Sequence, residues 1–179
     1  MNLLTSDQHK ERIEAAIAQG DAKTLDYYRQ FLAKGCPQYM SIRNMALNAC
    51  EYEHCTACGF HPVFADHVDE HGWFHFTIPN IERIEVVSKG AWLAEVLVAA
   101  LPNGRWVAGG TALFCRSGFM AEPSVFDPQF RTRLEAMRSI LSKLTLYVDG
   151  ETPSFVSALK KRITALWGRT EPVQLEFEF

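Results

Sequence analysis

Residues 84–115 read IEVVSKGAWLAEVLVAALPNGRWVAGGTALFC, and the hydrophobic pattern of this stretch decides the fold. Ile84 to Val87, Trp92 to Leu101 and Trp106 to Cys115 are short runs, alternating or continuously apolar and rich in residues that suit a pleated surface, so they predict strands. Pro102-Asn103-Gly104 separates the second from the third. Asn-Gly readily supplies the positive φ values of a tight hairpin turn, so an antiparallel meander follows. Gly109-Gly110 inside the third strand predicts a bulge or the close approach of another backbone, and Gly118 to Pro123 an exit loop.

Helices flank this sheet on both sides. Thr5 or Ser6 can cap a first helix with Ile13, Ala16 and Ile17 on one face, ended by Gly20. Asp21 caps a second that carries Leu25, Tyr28, Phe31 and Leu32 to Gly35, and Pro37 opens a third, shorter stretch through Met40, Met45 and Leu47. After the sheet, Asp127-Pro128 predicts a cap and first-turn proline for a helix with Phe130, Leu134, Met137, Leu141 and Leu144 at helical spacing. Thr152-Pro153 starts a last helix with Phe155, Leu159, Ile163 and Leu166 on one side and Lys160, Lys161 and Arg162 toward the other, ended by Gly168. The expected fold is therefore α+β: an N-terminal helical hairpin, a central antiparallel β-meander and two C-terminal helices packed on the sheet. One domain over residues 1–179 is expected, with 1–49 helical, 50–123 holding a Cys/His-rich segment and the sheet, 124–169 helical, and 170–179 a strand or free peptide.

The 179 residues, 47% of them hydrophobic, suffice for one ordinary core. MNLLTSDQHKERIE has no basic segment leading into an apolar run, and nowhere do eighteen apolar residues follow one another, so a cytoplasmic location and no membrane partner are expected. The five cysteines are odd in number and bunched, which suits a reducing compartment. Net charge is -3, yet residues 128–169 carry 8 Lys and Arg against 3 Asp and Glu, while 1–127 carry 10 against 15. Arg131, Arg133, Arg138, Lys160, Lys161 and Arg162 are the candidate phosphate or partner contacts; the alternative is a solvated helix face. No phosphate loop, dinucleotide fingerprint or nucleophile elbow is present, and an enzyme is not expected.

Cys50, His54, Cys55, Cys58, His61, His67, His71 and His75 crowd into 26 residues. Cys55-x2-Cys58 followed by His71-x3-His75 resembles the zinc-finger family of paired cysteines and histidines, which implies a structural zinc held by those four residues. Pro62 and Val68 stand where that family has its aromatic and leucine, and Gly72 interrupts its helix. His67-x-x-Glu70-His71 resembles the inverted zincin motif, which implies zinc-dependent hydrolysis with the glutamate as base, provided the segment is helical. The flanks instead predict strands over Val63 to Val68 and Trp73 to Ile78, joined by a turn at Asp69 to Gly72; buried thiols and a metal-free hairpin are the alternative to both sites. Trp73, Trp92, Trp106 and Trp167 are expected in the core or at sheet edges, three of them on strands.

Two further resemblances are short. Gly104-Arg105-Trp106, a glycine-rich exit and Phe130-Arg131-Thr132-Arg133-Leu134-Glu135-Ala136 resemble a layout common in accessory proteins of phages and plasmids, and a three-stranded sheet backed by a helix is similar to integrase-arm and plant-type DNA-binding domains. Gln174, Leu175, Phe177 and Phe179 are similar to the peptides that dock on bacterial sliding clamps, the alternative being an edge strand. Together these imply an accessory or regulatory binding protein of a mobile element that acts on nucleic acid or on a protein that processes it. A protein partner is expected before a small molecule; the alternatives are a zinc hydrolase and a structural interaction module.

Overall fold

The computed structural model describes residues 3–32, 41–89, 92–113, 118–148 and 153–169. The chain divides into two compact units, Met1–Thr77 and Ile78–Phe179.

The first unit holds three helices, α1 (Ser6–Gln19), α2 (Ala22–Arg29) and α3 (Ser41–Ala57). Thr5 caps α1 through a capping box with Gln8, Gly20 ends it in the left-handed conformation, and Asp21 caps α2 through the Thr24 amide. Ile13 and Ala16 are buried with Tyr28, Phe31, Met45, Ala46 and Ala49, whereas Ile17 is exposed. The second helix ends at Arg29, short of the expected Gly35, which lies outside the described residues together with Pro37 and Met40. The third helix is longer than expected and itself carries Cys50, His54 and Cys55.

The expected hairpin at 63–78 does not form. Phe64–His67 is a 3-10 turn, and a single antiparallel bridge joins Val68 to Phe74 around the predicted turn. Trp73 accordingly lies on no strand. What holds this segment is α3: Phe74 N–H donates to Asn48 Oδ1 at 2.9 Å and Phe76 N–H to Glu51 Oε1 at 2.9 Å, on the side away from the bridge, where His75 N–H donates to the His67 carbonyl at 2.8 Å. The alternation of buried Phe74 and half-buried Phe76 with exposed His75 and Thr77 is real, but it belongs to an extended segment laid against a helix.

The second unit is a four-stranded antiparallel meander in the order β1 (Glu82–Lys89), β2 (Trp92–Ala100), β3 (Trp106–Leu113) and β4 (Gly118–Ala121), followed by α4 (Arg133–Leu144) and α5 (Pro153–Arg169). Ala94, Val96, Val98 and Ala112 pack with Ala136, Met137, Ile140, Leu141 and Leu144 of α4 and with Leu159, Ile163 and Leu166 of α5, as expected of helices lying on a sheet. The 101–105 turn differs in detail. Gly104 N–H donates to the Leu101 carbonyl, and Gly104, at φ +79°, is the residue of this turn with positive φ, so it is a type I turn with a glycine bulge.

Gly118 to Ala121 is a strand, not a loop; it pairs with Gly110 to Leu113 at the sheet edge, and with Phe119 alone half-buried it leaves no alternation to read. The register of β2 against β3 runs unbroken through Gly109 and Gly110, so the pair marks close approach and not a bulge. A Cβ at Gly109 would lie 2.1 Å from the Ala121 carbonyl oxygen and 2.8 Å from the Pro123 nitrogen. Helix α4 starts at Arg133, beyond the expected Asp127-Pro128 start, because Thr132 and Glu135 form a capping box. Asp127 closes a tight turn onto Ser124, and Phe130 is bridged in extended conformation to Trp106.

Two outcomes follow for stability. Gly109→Ala, whose methyl meets backbone, should cost about 3 kcal/mol or more in urea unfolding, against about 1–2 kcal/mol for Gly104→Ala, where space is open and only the positive φ is strained. Asn48→Ala leaves the buried Phe74 amide and the Phe31 and Gly72 carbonyls unpaired; it should cost roughly 3 kcal/mol or more and abolish hydrogen-exchange protection at Phe74.

Candidate functional site

Cys55 and Cys58 lie at and just beyond the end of α3, both fully buried. Burial, reinforced by Glu51 and Cys58, pushes the Cys55 thiol up to about 12, so it is protonated at neutral pH. His71 and His75 sit on the exposed 69–75 turn. Their Nε2 atoms face Glu70 at 3.5 Å and Asp69 at 3.3 Å. Among the described residues, no three His, Cys, Asp or Glu side chains are grouped so as to hold a metal ion. The trio His67, Glu70 and His71 is divided between the end of the 3-10 turn and the 69–72 turn, and the His67 ring lies against the edges of Phe74 and Phe76 at 5.8 and 5.3 Å. The shared helical face that the inverted zincin motif needs is not present.

The basic residues separate into two groups. Arg133 donates from Nε and Nη2 to the two oxygens of Glu82 at 2.9 and 2.5 Å, which ties α4 to β1, and this contact holds the Glu82 carboxyl below its ordinary range. Arg138 lies over the Trp167 ring at 6.0 Å and joins α4 to α5. Arg131 is exposed at the start of α4. Lys160, Lys161 and Arg162 are exposed on α5, in no ion pair with a described carboxylate. Gln174, Leu175, Phe177 and Phe179 lie outside the described residues.

Sequence reasoning missed a polar network in the first unit. His9 and Tyr28 are fully buried, with His9 Nδ1 2.7 Å from the Tyr28 hydroxyl and Nε2 3.5 Å from Glu53 Oε2; the Tyr27 hydroxyl donates to Glu53 Oε1 at 2.5 Å. A neutral imidazole whose Nδ1 accepts from Tyr28 leaves Nε2 facing the carboxylate without a hydrogen bond. Burial lowers the His9 pKa from its ordinary value near 6.5, more than the Glu53 charge raises it. Burial and the Glu53 hydrogen bond raise Tyr27, so its phenol stays a donor. One signal was available: His9, Ile13 and Ala16 recur at helical spacing, which places the histidine on the buried stripe. Glu53 carried none.

No family model, curated protein or solved structure matches the chain. Among the described residues, no helix is long and apolar enough to cross a membrane.

The lowered His9 pKa has a defined sign. The unfolded chain takes up a proton near pH 6.5 and the folded chain only at lower pH, so this contribution to stability is present above about pH 6.5 and is lost as pH falls toward the folded pKa, by at most about 1.4 kcal/mol per pH unit. Glu51, raised by its own burial, acts in the opposite sense, so the useful quantity is the difference from a His9→Gln variant. That difference in unfolding free energy should narrow between pH 6.5 and 5; a constant difference would show that His9 protonates without cost.

Proposed function

We propose that the chain is a non-catalytic accessory binding protein, of the kind carried by phages and plasmids, and that it contacts nucleic acid through the cationic face of α5. One observation carries this reading: Lys160, Lys161 and Arg162 are exposed together while Leu159, Ile163 and Leu166 anchor the opposite face in the core. Helix α5 is thereby fixed to the sheet and presents three positive charges that no described carboxylate neutralises. Arg131, also exposed, adds a fourth cation in the same unit, whereas Arg133 and Arg138 are engaged within it. Helices with free cations bind phosphates by releasing counterions, without base contacts, so the reading implies affinity with little sequence preference. A protein that processes nucleic acid and presents a similarly acidic surface would be met by the same face.

The test is fluorescence anisotropy of labelled single- and double-stranded DNA and RNA across a salt series. Replacing Lys160, Lys161 and Arg162 together by Gln should weaken binding at least tenfold at low salt and reduce the slope of log affinity against log salt by roughly 0.9 for each lost contact to duplex phosphate. Binding that is absent, or that survives the substitutions with its slope unchanged, would overturn the reading.

A further inference from the structure

The first unit opens into a cleft of about 760 Å³ whose walls include Leu3, Leu4, Phe31 and Tyr52, with Arg12 and Glu53 among the residues that line it. One Glu53 oxygen is held by the Tyr27 hydroxyl at 2.5 Å, the other lies 3.5 Å from His9 Nε2 without a hydrogen bond, and the side chain remains 26% exposed. Arg12 is exposed, on the same helix as His9, which is buried against the Tyr28 hydroxyl. Among the described residues, no ion pair closes Arg12 onto Glu53 or onto any other carboxylate. Two opposite charges thus line one cleft without pairing, one of them fixed through the Tyr27 hydroxyl, and apolar surface lies around them.

We propose that this cleft binds a small zwitterion with an apolar body, an aromatic α-amino acid or a dipeptide carrying one, with its carboxylate on Arg12, its ammonium on Glu53 and its ring against Phe31 and Tyr52. The volume is of the size that ordinarily encloses such a ligand, and the few polar groups set among apolar walls are the usual means of orienting one. A lone cation would meet Arg12 and a lone anion would meet Glu53, so each singly charged ligand gains one contact and suffers one repulsion. The zwitterion alone satisfies both, and buried aromatic rings add affinity that does not depend on charge. The site lies in the unit that does not contain α5, so the proposal stands apart from nucleic-acid binding.

The experiment is calorimetric titration of the full chain with L-phenylalanine, L-phenylalanyl-L-alanine, phenethylamine and 3-phenylpropionate, with the Tyr27 and Tyr52 ring resonances followed by NMR. At least one zwitterion should bind saturably and ten times or more tighter than either singly charged analogue, shifting both tyrosines. Preference for the amino acid or for the dipeptide measures the span between the two charges. Arg12→Gln should lower zwitterion affinity to that of phenethylamine, and Glu53→Gln to that of 3-phenylpropionate. The comparison among ligands uses the unaltered chain, so it holds whether or not the Glu53 variant folds. No saturable zwitterion binding, equal binding of the singly charged analogues, or binding that leaves both tyrosines unshifted would overturn the proposal.

Discussion

Asn48 organises the first unit. Its Nδ2 donates to the Phe31 carbonyl at 3.0 Å and to the Gly72 carbonyl at 2.9 Å, and its Oδ1 accepts from the Phe74 amide at 2.9 Å. A single buried side chain thus fastens the exit of α2 and the later limb of the 69–75 turn to α3. Side-chain polar groups taken out of water stabilise a fold only when their partners are all met, and Asn48 meets three without leaving its helix. Glu51, one turn later, extends the same device to Phe76. The consequence reaches the cleft, because Phe31 and Tyr52, which line it, stand beside these attachments and pack ring to ring at 5.3 Å.

The second unit is organised by close approach of backbone. Side chains are absent at Gly109 and Gly110 for opposite reasons: the first faces the chain leaving β4, and the second faces Ile140 of α4, whose Cγ2 would lie 2.7 Å from an added Cβ. The sheet is thereby thin at its third strand, and α4 can settle onto Val96 and Val98 while the exit segment crosses the other face. Phe130, bridged to Trp106, sets where that segment ends, and the Thr132 capping box sets where the helix begins. The bidentate Arg133 to Glu82 contact then fixes α4 against β1.

Local chemistry made much of this legible. Caps at Thr5 and Asp21, the stop at Gly20 and the three apolar runs of the meander each depend on residues within a few positions of one another, and they lie where the pattern places them, the last two residues of the third run, Phe114 and Cys115, falling outside the described residues. What escaped depends on distant partners. Phe74 and Phe76 alternate like a strand, and nothing nearby tells that Asn48 and Glu51 will take their amides. Strand β4 is short and only Phe119 of its side chains packs on the core, so it carries no apolar alternation. Asp127-Pro128 has the composition of a helix start, but Thr132-x-x-Glu135 forms a reciprocal cap only five residues on, and two satisfied amides outweigh one proline. The His9 network was hidden differently. Its histidine lies on an apolar stripe, its tyrosine was counted as a core ring, and its carboxylate looks like any charge on a helix.

Charge counted along the chain and charge presented by the fold are different quantities. The excess of Lys and Arg over residues 128–169 suggests a broadly basic surface, yet Arg133 is neutralised by a carboxylate from β1 and Arg138 lies over an indole, so two of the cations act as internal fasteners. Arg83 of β1 is likewise engaged, standing between Glu95 of β2 at 3.7 Å and Glu122, just beyond β4, at 3.3 Å. These exposed pairs contribute little to stability individually, about 0–1 kcal/mol each, and their larger effect is on where uncompensated charge remains. It remains on α5, where three successive cations project away from the buried stripe of Leu159, Ile163 and Leu166 and form no ion pair with a described carboxylate. A folded chain with net charge -3 thus carries a local positive field, and such a field acts on a polyanion within roughly 8–10 Å of the helix at physiological salt.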